Sequence, residues 1–159
     1  MNMRLDFSVA VHSLLYLDQN NDRRISSREL SEKLKVNSVM IRNILSLLHK
    51  NGYVKGNVGK NGGYQMILSL AQCNVGELYD LTIPPTISYA RFITGKTSLL
   101  EEENETHETE IESNIAETLT DLFTLADQDY RAFYHQFTLA DLKQDIEHHG
   151  YFQRKIDEQ

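Results

Sequence analysis

Arg42 and Asn43 stand side by side near the start of a segment, Ser38 to Asn51, whose Ile41, Ile44, Leu45 and Leu48 fall at i, i+3, i+4 and i+7. That spacing buries one face of a helix and turns Asn37, Ser38, Val39, Met40, Arg42 and Asn43 off it. A guanidinium there offers two parallel donors that fit the edge of guanine, and a carboxamide pairs with adenine. Val39 or Met40 can touch a thymine methyl. Ser26, Ser27 and Arg28 open the preceding helix, where free backbone N–H groups and the helix dipole favour a phosphate. Lys60, Asn61 and Gly62 sit at a glycine-rich tip and suit the minor groove or its backbone. Any one of these basic residues is equally well explained as a solvated surface charge. Their grouping points to non-covalent recognition of double-stranded DNA.

Short helices must position these side chains, and three helix starts share one grammar. Ser26 precedes Glu29 by three, the spacing of a capping box, and Ile25 can staple onto Leu30. Asn37 can cap the next helix, with Val36 stapling onto Ile41. Asn74 precedes Glu77 by three, with Cys73 and Leu78 as the staple pair. The predicted helices run from about 27 to 34, 38 to 51 and 75 to 80. Gly52 stands where a left-handed residue stops a helix. Tyr53–Asn57 and Gly63–Leu68 have strand length and are joined by Val58-Gly59-Lys60-Asn61-Gly62, which can take positive φ. The stretch from Ile25 to Leu68 therefore reads as a helix-turn-helix with a wing. Before it, Leu5 to Leu17 is apolar on nearly all faces, so that helix is expected to be buried from more than one side.

Charge divides the chain. Residues 1–68 hold ten Lys/Arg and five Asp/Glu, whereas residues 69–159 hold six and eighteen, although the whole chain carries −7. A basic half beside an acidic half is the pattern of a reader module on an assembly module. The seven carboxylates between Glu101 and Glu112 would repel phosphate and should face away from DNA. No apolar run approaches the ~20 residues of a membrane span, and the N-terminus lacks the pattern of a signal peptide. With one cysteine, an internal disulfide or a multi-cysteine metal site is excluded. The expected location is the cytoplasm.

From Glu108 the period changes. Ile111, Ile115, Leu119, Leu122, Ala126, Tyr130, Phe133 and Phe137 recur every three or four residues, an apolar stripe on a helix of roughly 28 residues, ~40 Å long. Such a stripe needs a partner, and the same helix of a second subunit supplies it most simply; packing on its own reader module is the alternative. From Thr138 another short helix is expected, ending before Gly150, with frayed polar residues beyond. The expected fold is mainly α with a small β-hairpin. It comprises a winged helix-turn-helix domain (1–83), a connecting segment and acidic loop (84–107) broken by Pro84-Pro85, and a dimerisation helix with C-terminal tail (108–159).

VNSVMIRNILSLLHKNGYV followed by GKNGGY resembles the Rrf2 family of bacterial transcription regulators. MRLDFSVAVHSLLYL is similar to that family's first helix, and FTLADL to the motif after its long dimerisation helix. The resemblance spans the chain and is specific from Ser26 to Tyr64. It implies a winged-helix homodimer with crossed long helices that binds an imperfect palindrome and usually represses. By position, its base-reading residues fall on Asn37 to Asn43 and its wing on Gly59 to Gly63. Val58 stands where many members carry a minor-groove arginine, and Arg42 where some carry an acid, so the operator should differ. Relatives that hold an iron–sulfur cluster use three closely spaced cysteines near the long helix. Residues 93–117 contain none here, and Ser8 stands nearest to the acidic ligand some relatives add. The resemblance is to members without a cluster, so no cofactor is expected.

Cys73 is the one redox candidate, and its place beside a helix cap favours a buried, inert thiol. His148 and His149, being adjacent, diverge on a helix, and His107 stands among carboxylates; no metal site is expected. Tyr16, Tyr79, Tyr89 and Phe92 can line an effector pocket or simply form aromatic core, so a small-molecule effector stays open. No spacing suggests a nucleophile with its base, so an enzyme is not expected. The rival reading is a winged helix kept only for protein contacts.

Overall fold

The computed structural model of the chain describes residues 3–57, 62–83, 110–148 and 150–157. Lys60, Asn61, Tyr89, Phe92, His107, His149 and the connecting segment with most of its acidic block lie outside the described residues, as do the side chains of Ile111 and Ile115.

The first helix, α1 (Met3–Gln19), contributes Val9, Ala10, Ser13, Leu14 and Leu17 to the core. It touches the helix-turn-helix and the hairpin, and also two later helices. That range of partners is why its apolar residues occupy nearly every face. Helix α2 (Ser27–Leu34) and helix α3 (Ser38–Lys50) follow. The turn between them is held in three ways. Lys35 takes a left-handed φ of 53° and gives its N–H to Ser31 O, Ser31 Oγ donates to Val36 O at 2.6 Å, and Asn37 caps α3. Gly52, at φ 79°, ends α3 in the left-handed conformation that glycine adopts without a side-chain clash.

Strands β1 (Val54–Asn57) and β2 (Gly63–Met66) pair antiparallel, Val54 opposite Met66 and Asn57 opposite Gly63. Ile25 bridges to Tyr64 on the outer edge of β2, so residues just before α2 tie the wing to the helix-turn-helix. Gly63 is needed there, because a Cβ would stand 2.9 Å from Ile25 O and 3.2 Å from Arg24 Cβ. A 3-10 turn (Leu70–Gln72) leads to α4 (Val75–Thr82), capped by Asn74 through Gly76 N and Glu77 N. Ile25, Leu30, Ile41, Leu45, Leu48, Cys73, Leu78 and Leu139 are fully buried in one cluster with the α1 residues.

Helix α5 (Glu110–Tyr134) is shorter at its end than the stripe predicts. Phe137 N turns back to Tyr134 O, and the following residues bond to the start of α4. Phe137 thus leaves the stripe and meets Phe152 edge-on, with ring centroids 5.4 Å apart. Helix α6 (Leu139–His148) matches the expected short helix. Beyond Gly150 the expectation of frayed residues is corrected, since Tyr151–Asp157 forms a further helix, α7, with Gln153 bonded to Asp157. The chain forms two units, residues 1–83 with 134–159, and residues 84–133. Residues 134–159, expected to go with the dimerisation helix, therefore fold with the reader.

The return is built on a tight seam. Val75 N donates to Phe137 O, Leu139 N to Cys73 O, and Asn74 Nδ2 to His135 O, each at 2.9 Å. Gly76 lets the two stretches of chain approach, for a Cβ there would collide with the His135 ring.

Candidate nucleic-acid interface

Helix α3 owes its orientation to the residues it buries. Ile41, Leu45 and Leu48 are fully enclosed and Ile44 nearly so. The opposite face is left to solvent, with Ser38, Val39, Arg42 and Asn43 exposed. Val39 is 54% exposed. Two predicted readers are placed differently. Asn37 Oδ1 accepts from Val39 N at 2.7 Å, so its carbonyl is committed to the cap. Met40 is half-buried against the core.

At the start of α2, Ser26 Oγ accepts from Glu29 N at 3.1 Å. Ser27 is half-buried. Arg28 Nε donates to Glu32 Oε1 at 2.9 Å, with both side chains largely exposed. Such a surface pair is weak and a phosphate can displace it. Gly62 is half-buried at the end of the tip, next to β2. Lys60 and Asn61 lie outside the described residues.

The expected capping box at Ser26 forms only by half, because the Glu29 carboxylate turns away. It accepts from Arg23 Nη2 and Nη1 at 2.6 and 2.9 Å and from Tyr16 Oη at 3.0 Å. Arg23 holds the Glu29 carboxyl below its ordinary value of 4.5. This bridge joins α1, α2 and the loop between them, and so fixes the platform that carries α3. Tyr16 therefore belongs to a polar bridge, while Tyr79 packs against Phe7 and Tyr134 with centroids 5.4 and 4.7 Å away. A cavity of about 480 Å³ lies among Phe137, Asp141, Asp145, His148, Phe152 and Arg154.

Sequence reasoning missed two cations beside the wing. Lys55 is exposed on β1, as the alternation of Val54, Lys55, Gly56 and Asn57 could have shown. Arg24 is also exposed. With the Asn57 amide turned so that its oxygen faces Arg24, Oδ1 accepts from Nη1 at 2.8 Å and from Nη2 at 3.2 Å. Only the tertiary pairing of Ile25 with Tyr64 brings these residues together.

Cys73 is fully buried, and burial, with Asp18 and Glu77 adding to it, pushes its thiol up to about 11. A buried thiol held above its usual value forms little of the nucleophilic thiolate. On α5, Leu122, Tyr130 and Phe133 are 56%, 57% and 49% exposed; Ala126 is exposed and Leu119 half-buried. Among the described residues no group of three or more His, Cys, Asp or Glu is placed to hold a metal ion, and no helix is long and apolar enough to cross a membrane.

The model of the Rrf2 family, described as iron-dependent transcriptional regulators, matches residues 3–145. The crystal structure of a protein from Lactobacillus plantarum, assigned there as a candidate transcriptional regulator, is 59% identical. The match covers 98% of this chain and 99% of that one with a TM-score of 0.82. A candidate regulator from Listeria innocua is 20% identical over 95% and 90% of the two chains, with a TM-score of 0.61. CymR, described as the global cysteine regulator of B. subtilis, is 15% identical over 86% and 92%, with a TM-score of 0.55. No curated protein matches this chain. The iron in the family description does not fit the donors present as a cluster, since clusters are held by several thiolates. This chain has one cysteine, enclosed in the core.

Proposed function

The chain belongs to the Rrf2 family of transcriptional regulators, and on that premise we propose that it reads a palindromic DNA operator as a homodimer and represses from it without an iron–sulfur cluster. One observation carries the reading. The first turns of α3 expose Ser38, Val39, Arg42 and Asn43 on the face opposite a fully buried apolar stripe. In a helix-turn-helix those turns enter the major groove. Arg42 has the donor fork for guanine, Asn43 the amide for adenine, and Val39 the apolar surface for a thymine methyl.

Dimerisation is assigned to α5, whose exposed Leu122, Tyr130 and Phe133, with Leu119 and Ala126, give an apolar side that water does not favour. Ile111 and Ile115 extend the same stripe in sequence. Two copies would place two α3 helices on one side of a duplex, about one helical turn apart. With no thiolate set and a buried Cys73, the signal falls to a small molecule. The cavity by Phe137 and Phe152 lies within the volume range of such sites, roughly 300–1,000 Å³.

The test is selection of duplexes from a random pool, followed by titration in rising salt and sedimentation of the free protein. Expected are an inverted repeat with half-sites about 10 base pairs apart and a dimer. Weak binding indifferent to sequence would leave the winged helix as a protein-contact module.

A further inference from the structure

Three arginines lie within six residues at the entry to α2, and their partners differ. Arg23 is neutralised by Glu29 at 2.6 Å, and Arg28 pairs with Glu32 at 2.9 Å. With the Asn57 amide turned so that its oxygen faces it, Arg24 donates to a neutral group. Such a contact orients a guanidinium without cancelling its charge. The hold depends on tertiary structure. Ile25 and Tyr64 exchange backbone bonds at 3.0 and 2.8 Å, placing residue 24 beside Gly63, which pairs with Asn57. The missing Cβ of Gly63 leaves the way open for the Arg24 side chain to reach across.

Strand alternation adds a second cation. Val54 is buried and Gly56 half-buried against Tyr64, so Lys55 and Asn57 share the outward face of the hairpin. The residues paired with them are Gln65, whose amide donates to Asn21 O, and Gly63. This face thus presents Arg24 and Lys55 with no carboxylate on the paired strand positions.

We propose that the outward face of the wing root, Arg24 fixed by Asn57 together with Lys55, is a phosphate-binding site that grips the DNA backbone beside the base pairs read by α3. The assignment rests on the DNA-binding reading above. It adds contacts that carry affinity but no sequence information, since phosphates are alike along the duplex. Because the guanidinium is already oriented by Asn57, less side-chain freedom is lost when it meets a phosphate.

The experiment is a salt titration of binding to the selected duplex and to an unrelated duplex, using the full-length protein and the variants Arg24→Ala, Arg24→Lys, Lys55→Ala and Asn57→Ala. Each variant is first shown to unfold at the wild-type temperature. Arg24→Ala and Lys55→Ala should each weaken binding roughly tenfold on both duplexes and flatten the log K against log[salt] slope by ~0.9. Arg24→Lys should keep the slope, and Asn57→Ala should keep the slope while losing a smaller part of the affinity. Unchanged binding by Arg24→Ala, or weakened binding with an unchanged slope, overturns the proposal. Inorganic phosphate should compete no better than chloride at equal ionic strength. Stronger competition that Arg24→Ala abolishes would mean a free-anion site and would also overturn it. A wild-type protein that binds neither duplex sinks the DNA-binding reading itself, a result distinct from any variant's.

Discussion

Where residues 135–139 meet the start of α4, Val75 N, Leu139 N and the Asn74 amide are all bonded to backbone carbonyls at 2.9 Å, and Cys73 and Leu139 have no exposed surface. On the front of α3, Val39 and Arg42 stand in solvent with no such partners among the described residues, and Asn43 is exposed beside them. The seam's groups meet their needs inside the chain, and that makes it a fastening. A surface that is to read another molecule must leave donors and apolar area unmet, because a satisfied group gains little from a new partner. The same contrast separates Arg23 and Arg28, each matched to a carboxylate, from Arg24.

The sharpest way to break this contrast is Leu139→Ala, which empties a fully buried site in the seam. Unfolding in urea should show a loss of about 2–5 kcal/mol. Labelling of Cys73 by a thiol reagent at pH 8, slow in the native protein, should accelerate with it. A loss under about 0.5 kcal/mol would mean that the C-terminal segment is not fastened there.

Arg42→Ala tests the other side. Affinity for the selected duplex should fall by about 1–3 kcal/mol, with discrimination relaxed at one base pair and the urea midpoint unchanged. An equal loss on every sequence would demote Arg42 to a phosphate contact. Ser13→Ala asks whether unmet groups are tolerated in the core. Ser13 Oγ is fully buried with no partner among the described residues, so its removal should raise stability by about 1 kcal/mol, seen as a higher melting temperature. A lower melting temperature would show that the hydroxyl has a partner.

The smallest expected effect concerns Glu29. Its carboxyl lies below the ordinary 4.5 in the fold, chiefly through Arg23. Its contribution is therefore complete above the unfolded value and is lost as pH falls through the folded one. Stability measured from pH 6 to pH 3 should fall more steeply in the wild type than in Glu29→Gln. Parallel curves would show that the bridge adds nothing.

Much of the local structure was legible, because caps and periodicity act over three or four residues. Ser26, Asn37 and Asn74 cap the helices expected of them, and Gly52 ends α3 with positive φ. The errors have a common origin in competition between partners. Glu29 had the spacing of a capping box, but Arg23 offers its carboxylate a charge-assisted pair of bonds. Phe137 continued a stripe by spacing, yet its carbonyl is bonded to Val75 across 62 positions of chain.

What the sequence determined by itself is the winged helix-turn-helix, the family, and the absence of a thiolate set, since these follow from local spacing and residue count. Tertiary structure alone decided that residues 134–159 cluster with the reader and that Arg24 meets Asn57. Those outcomes depend on which distant groups find each other, and a hydrogen bond between residues 24 and 57 leaves no periodic mark along the chain.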